Sequence, residues 1–274
     1  MTSTFALSGD EVTLFETIVV PSYLNYFGTM AVDMLMDYSP AAVAHVGCRT
    51  GFPDGAIFDK LPGSTLIGVD PSSEALDLAR SKAALVSGMQ ATYDVGGPAV
   101  TTLPSESFTH AFSLHPLCDA EGRSKLLSEL RRILVAGGQA LLAMPLRGSF
   151  PELADMIREF SLKQDLPNLS KAVDIAASRR PTIETVAEEF ETAGLTEVDV
   201  DVQLVGVSFA SGREFLDDPI ARLLVMPDLK SLLPVDAALW DQSYQYMQEA
   251  ILKYWSDGVF ELTVNVGCAS GRRF

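Results

Sequence analysis

A glycine turn, followed about 20 residues later by an acid, is the part of the sequence best suited to chemistry. The apolar run at 43–46 leads into Gly47 and Gly51, and a second apolar run at 65–69 ends at Asp70. Glycines at a strand end allow tight turns and close backbone approach, and an acid at the next strand end accepts ribose hydroxyls. The spacing therefore predicts a nucleotide-type crevice at the carboxyl ends of parallel strands.

Two motifs carry a resemblance to a known family. The run V-A-H-V-G-C-R-T-G at 43–51 resembles the V-L-D-V-G-C-G-T-G motif of the class I S-adenosylmethionine-dependent methyltransferases. The run L-R-R-I-L-V-A-G-G at 130–138 is similar to the family's L-R-R-V-L-K-P-G-G. The likeness is to the ubiquinone-biosynthesis-like branch, which acts on small molecules. It implies an α/β fold, a doubly wound, seven-stranded, mostly parallel, Rossmann-like sheet with helical lid insertions.

The resemblance also implies a cofactor site for S-adenosylmethionine. Gly47, Thr50 and Gly51 match the family's glycine loop, and Asp70 matches its ribose-binding acid. Arg49 replaces the central glycine and would bring bulk and positive charge near a sulfonium. At about 4 Å and an effective dielectric constant of about 20, that repulsion alone is about 4 kcal/mol, before any benefit from pairing the carboxylate of the donor.

The sequence leaves open an alternative for this arginine, in which it turns outward to an acid such as Asp54.

Three further positions depart from the family pattern. His45 replaces an acid before the glycines, although a histidine on a buried strand is also a common core residue. Gly97-Pro98-Ala99 stands where the family has Gly-Asp-Ala, which removes the acid expected to take the adenine amino group. Asp94 is the substitute nearest in sequence, and we include it among the cofactor-binding candidates. Thr109 replaces the acid of the family's Phe-Asp.

His115 is the residue best placed for acid–base catalysis. It follows the predicted fourth strand, where class I enzymes carry groups that face the methyl acceptor, and the imidazole titrates near neutral pH. The alternative is a solvated loop histidine before Pro116.

Composition limits the class of partner. The chain has 274 residues and a formal net charge of −16, which disfavours nucleic-acid substrates because phosphate backbones are repelled. Its three cysteines form no metal pattern. No signal peptide and no apolar run of membrane-spanning length is visible, so we expect a cytoplasmic protein. A protein partner or a small molecule is the expected ligand, and the oligomeric state stays open.

The elements that position these residues follow from periodicity and breakers. We predict helices over 1–40 with a break at Pro21, then a methyltransferase-like domain over 41–274. Helical lid segments are expected at 149–180 and 211–256. Strands are predicted at 43–46, 65–69, 91–95, 108–114, 139–144, 197–207 and 259–267.

Three hypotheses follow for the function, and in one of them the crevice binds another anionic ligand through Arg49. The departures cluster around one crevice, which favours a methyltransferase-like pseudoenzyme with an impaired S-adenosylmethionine site and a binding or regulatory role. The alternative is an active S-adenosylmethionine-dependent methyltransferase acting on a small molecule. The cofactor is S-adenosylmethionine if the protein is active, and otherwise the site has none.

Overall fold

The computed structural model describes residues 6–274, which form an α/β fold. The strands are β1 Ala42–Val46, β2 Thr65–Asp70, β3 Gln90–Val95, β4 Phe108–Leu114, β5 Leu134–Pro145, β6 Leu195–Phe209 and β7 Phe260–Arg273. The α-helices are α1 Asp10–Leu14, α2 Asn25–Asp33, α3 Asp54–Lys60, α4 Ser73–Leu85, α5 Ala120–Ile133, α6 Pro151–Lys163, α7 Pro167–Arg179, α8 Ile183–Thr192, α9 Gly212–Asp217, α10 Met226–Leu232 and α11 Ala237–Trp255. Two π-helical stretches, Phe15–Leu24 and Ala221–Val225, join helices.

The seven strands form one sheet in the order β3-β2-β1-β4-β5-β7-β6. The pairs β1–β2, β1–β4, β2–β3 and β4–β5 are parallel, with Val46 opposite Val69 in the first. The strand order therefore reverses beside β1, and parallel sheets bind ligands at such a switch point. The predicted fold class is confirmed.

Helix caps fix the entry of the two helices that follow the predicted site. The Ser72 hydroxyl accepts a hydrogen bond from the Ala75 N–H at 3.1 Å at the start of α4. Asp119 does the same for the Gly122 N–H at 2.9 Å at the start of α5. Each cap satisfies a backbone donor that a helix start leaves unpaired.

The predicted helix break at Pro21 is wrong. The chain stays helical from Asp10 to Asp33, and Pro21 lies inside the π-helical stretch Phe15–Leu24. A proline lacks the backbone N–H, and a wider local turn changes which donors and acceptors pair, so the helix continues past it.

The chain divides into two compact units. The first runs through Met144 and adds Ile183–Val202 and Gly267–Phe274, and it contains the switch point. The second comprises Pro145–Thr182 and Gln203–Val266, so helices fill both predicted lid segments. The boundaries of the predicted domains and the lid role of these helices stay predictions.

The second unit contains a buried ion pair. Arg180 Nη1 lies 2.6 Å from Asp228 Oδ2, and the guanidinium also packs over the ring of Phe150.

Across residues 6–274, no helix combines the length and apolar character that crossing a bilayer requires.

Candidate functional site

A crevice of about 280 Å³ opens at the carboxyl ends of β1, β2 and β4 in the first unit. We call it the crevice throughout. Its lining residues are Gly47, Arg49, Asp70, Pro71, Gly97, Pro98, Ala99, Val100, Ser113, Leu114, Pro116, Leu117, Cys118, Gly122 and Leu126. Most of these side chains are apolar, and only Arg49 and Asp70 carry charge. The structure thus brings together three of the predicted cofactor-binding residues, Gly47, Arg49 and Asp70.

Asp70 is held by backbone groups at the end of β2. Its Oδ2 accepts the Arg49 N–H at 3.0 Å, and its Oδ1 accepts the Ser72 N–H at 2.9 Å. The residue is only 3% exposed, and burial raises the pKa of its carboxyl, against the lowering effect of the Ser72 N–H. Each oxygen keeps a further lone pair, so the carboxylate is oriented and still able to accept hydroxyls.

The Arg49 side chain reaches from the turn after β1 to the end of β4. Its Nη1 donates to the Leu114 carbonyl at 3.0 Å, and its Nη2 donates to the His115 carbonyl at 2.8 Å. The guanidinium carbon also lies 5.5 Å from the ring centre of Phe15. The alternative that this side chain turns outward to Asp54 is therefore wrong.

The backbone of Arg49 is strained, because its φ of +47° is in the left-handed region. That region favours glycine, which is the residue the family has at this position.

Asp54 is bound by two other side chains, and Arg49 is not among its hydrogen-bond partners. His45 Nδ1 lies 2.7 Å from Asp54 Oδ1, and the Tyr93 hydroxyl donates to Asp54 Oδ2 at 2.8 Å. The His45 ring also stacks on Phe112 at 4.0 Å between ring centres. His45 is therefore a satisfied core residue, as one of the two interpretations predicted.

Thr50 and Gly51 lie behind the crevice wall. Thr50 is fully buried and lines a separate cavity of about 10 Å³ under the N-terminal helix. A Cβ on Gly51 would come within 3.0 Å of the Ala79 Cβ and 3.1 Å of Asp54 Oδ2, and its φ is +72°. Gly51 is needed for close packing against α4, and neither residue is a crevice contact.

Asp94 is exposed on β3 and does not line the crevice. The reason is strand alternation, which turns its neighbour Tyr93 into the core and Asp94 outward. The loop 97–100 lines the crevice there and contributes no polar side chain. It is anchored by Glu129, whose Oε1 accepts the Thr101 N–H at 2.8 Å.

His115 is buried, with 1% of its surface exposed, so the solvated-loop interpretation is wrong. Its Nε2 lies 2.9 Å from the Tyr23 hydroxyl, and its ring packs edge-on against Phe27. Its carbonyl accepts a hydrogen bond from Arg49, which lines the crevice. The candidate acid–base group is therefore next to the crevice wall and outside the lining set.

Sequence reasoning missed the wall formed by Leu117, Cys118 and Leu126. The rule that ligands bind beyond the carboxyl ends of strands could have found it, because Leu117 and Cys118 follow β4 and Leu126 lies on α5, the next helix. It also missed Tyr93 as a partner of Asp54, for which the sequence gives no local signal.

Among residues 6–274, no group of three or more histidine, cysteine, aspartate or glutamate side chains is placed to hold a metal ion.

Comparisons with known proteins give one family match. Residues 44–142 match the model of a methyltransferase domain. No curated protein matches the chain in sequence.

Solved structures share the fold. The YcgJ protein from Bacillus subtilis has a TM-score of 0.58 at 14% identity, over 91% of this chain and 98% of that one. Phosphoethanolamine N-methyltransferase 2 from Haemonchus contortus, in complex with S-adenosyl-L-methionine, has a TM-score of 0.55 at 15% identity, over 96% of this chain and 56% of that one. Geranyl diphosphate methyltransferase in complex with S-adenosylmethionine has a TM-score of 0.51 at 12% identity, over 97% of this chain and 91% of that one.

Proposed function

We propose that the chain is a pseudoenzyme of the class I S-adenosylmethionine-dependent methyltransferases, because residues 44–142 match the model of a methyltransferase domain and solved structures share the fold. In this proposal the crevice does not accept S-adenosylmethionine in a productive way, and the protein serves as a binding or regulatory protein. The net charge of −16 supports a small molecule or a protein as its ligand, in preference to nucleic acid.

One observation carries the proposal. The guanidinium of Arg49 donates to the carbonyls of Leu114 and His115 at 3.0 and 2.8 Å. Carbonyl oxygens at this strand end are natural acceptors for a ligand ammonium, and here a side chain of the protein uses them. A permanent cation at the same place repels a second cation.

The cofactor fits one part of the crevice and not the other. Asp70 retains acceptor capacity for ribose hydroxyls, and the wall formed by 97–100 and Leu117 offers an apolar surface for a base. The end that would hold an amino-acid ammonium and a sulfonium contains Arg49. In this proposal, repulsion of the sulfonium and ammonium by Arg49 outweighs its pairing with the carboxylate of S-adenosylmethionine, so the cofactor is not held productively and we derive no transfer step.

The alternative is an active S-adenosylmethionine-dependent methyltransferase for a small molecule. The orientation of Asp70 by two backbone N–H groups favours it, because a carboxylate aimed into the crevice is what ribose binding needs. This alternative requires Arg49 to leave its two carbonyl partners when the cofactor binds.

Calorimetry separates the two functions. S-adenosylmethionine and S-adenosylhomocysteine are titrated at up to millimolar concentration into the wild-type protein, and thermal unfolding is followed in parallel. The pseudoenzyme should give neither binding heat nor a shift in Tm, since a ligand stabilises only the state that binds it. Micromolar binding of S-adenosylmethionine by the wild-type protein would overturn the proposal and favour the active enzyme.

A further inference from the structure

We propose that the crevice binds a ribonucleoside whose 5′ substituent is an anion, such as a nucleoside 5′-monophosphate, with little selectivity for the base. The inference rests on the proposed function, because it assigns a ligand to a crevice that does not hold S-adenosylmethionine.

The first argument is the charge of Arg49. The two hydrogen bonds of its guanidinium go to neutral carbonyls, and the acid that interacts with it electrostatically, Asp70, has its carboxylate bound by backbone N–H groups. These bonds use two of the five N–H donors of a guanidinium. A cation with spare donors on the wall of a crevice is a site for a phosphate or carboxylate.

The second argument is the order of the polar groups along the crevice. Asp70 sits at the end of β2, and Arg49 reaches from the β1 turn to the end of β4. The hydrogen bond from the Arg49 N–H to Asp70 Oδ2, at 3.0 Å, fixes the carboxylate relative to the turn. A sugar whose hydroxyls meet Asp70 would carry its 5′ group toward Arg49, since the remaining lining residues are uncharged.

The third argument concerns the base. The wall contains Pro98, Ala99, Val100 and Leu117 and has no side chain able to read donors and acceptors on a base edge. Such a wall provides apolar contact with any base, and selectivity for a base requires hydrogen bonds from fixed polar groups. Weak base selectivity follows from this composition.

The experiment is a calorimetric series on the full chain. The ligands are adenosine 5′-monophosphate, cytidine 5′-monophosphate, adenosine and 2′,3′-dideoxyadenosine 5′-monophosphate. The proteins are the wild type, Arg49→Gln, and Arg158→Gln as a matched control. Arg158 lies on α6, pairs with Asp155 and Asp174, and does not line the crevice.

We expect adenosine 5′-monophosphate to bind at least about tenfold more tightly than adenosine. This factor corresponds to the low end of the free energy of a charge-assisted hydrogen bond. Cytidine 5′-monophosphate should bind within about threefold of adenosine 5′-monophosphate, a difference below 1 kcal/mol. The dideoxy compound should bind more weakly, since it lacks the hydroxyls for Asp70. The preference for the monophosphate should vanish in Arg49→Gln and persist in Arg158→Gln.

Equal affinity of the wild type for adenosine and its monophosphate would overturn the inference, and so would an unchanged preference in Arg49→Gln. If Arg49→Gln fails to fold, the wild-type ligand series decides alone. The two proposals fail separately. If none of the four ligands binds, this inference is wrong and the pseudoenzyme proposal is unaffected. If S-adenosylmethionine binds the wild-type protein, the pseudoenzyme proposal is wrong.

Discussion

Replacing Arg49 by glycine tests the central argument, because it removes the guanidinium and restores the family's residue at a φ of +47°. Two opposing terms set the effect on stability. Two hydrogen bonds from a charged donor are lost, at about 1.5 kcal/mol each at the low end, because the freed carbonyls regain water in the crevice. Relief of the left-handed backbone returns about 1 kcal/mol. We expect a net loss of about 2 kcal/mol in the free energy of unfolding.

The effect on cofactor binding should be larger and opposite in sign. A ligand ammonium that shared the Leu114 carbonyl with Arg49 would lie about 4 Å from the guanidinium, since each donor sits about 3 Å from the oxygen. At an effective dielectric constant of about 20, the repulsion is about 4 kcal/mol, which is close to a thousandfold in affinity. Arg49→Gly should therefore convert undetectable binding of S-adenosylmethionine into binding in the micromolar to high-micromolar range.

Two further variants separate charge from backbone. Arg49→Ala removes the charge but keeps a side chain at positive φ, so it should bind S-adenosylmethionine and unfold about 1 kcal/mol more easily than the glycine variant. Arg49→Lys keeps the charge and should not bind. Calorimetry gives the affinities, and urea unfolding gives the stabilities.

The charge argument is refuted if S-adenosylmethionine binds Arg49→Lys as well as it binds Arg49→Gly. It is equally refuted if wild-type protein binds this ligand and the glycine variant binds it less tightly.

Three other substitutions test the surrounding framework. Asp54→Asn should lower the free energy of unfolding by about 2–3 kcal/mol and Tyr93→Phe by about 1 kcal/mol, measured in urea, because the first changes the acceptor that both His45 and Tyr93 bind, whereas the second removes one of its two hydrogen bonds; equal losses would contradict this. Arg123→Met should lower the free energy of unfolding by about 3–5 kcal/mol, because it leaves Glu189 unpaired. Adding Glu189→Leu should recover most of that free energy, as measured by thermal unfolding. Burial lowers the pKa of His110 below 6.5. The neutral imidazole therefore makes its full contribution to stability above about pH 6.5, and this contribution is lost as the pH falls toward the folded pKa. The urea midpoint of His110→Gln should lack that part of the acid sensitivity.

Much of the fold followed from local sequence signals. Apolar runs bounded by Gly47 and Asp70 predicted β1 and β2, and the structure confirms these strands; the strand predicted at 139–144 is also present, but it begins at Leu134, so the turn predicted at Gly137-Gly138 is wrong. Such signals suffice because a parallel strand is buried on both faces and ends at a turn residue. Pro21 was misread because a breaker signal cannot show that a helix has widened around it.

The candidate site was predicted less well, for a physical reason. Asp54 is the nearest acid to Arg49 in sequence, yet its carboxylate binds His45 and Tyr93, which are 9 and 39 residues away along the chain. Arg49 instead binds carbonyls 65 and 66 residues away. Partners that a parallel sheet brings together are set by strand order, which local pattern does not encode.

The π-helical stretch Phe15–Leu24 decides the direction in which Tyr23 points. Deleting one residue there would restore ordinary helical spacing and swing each later side chain by about 100° around the axis. Tyr23 would then turn away from His115, whose Nε2 it meets at 2.9 Å. The carbonyl of His115 also accepts a hydrogen bond from Arg49. The loss of a single codon from this amino-terminal segment would therefore disturb a residue that lines the crevice.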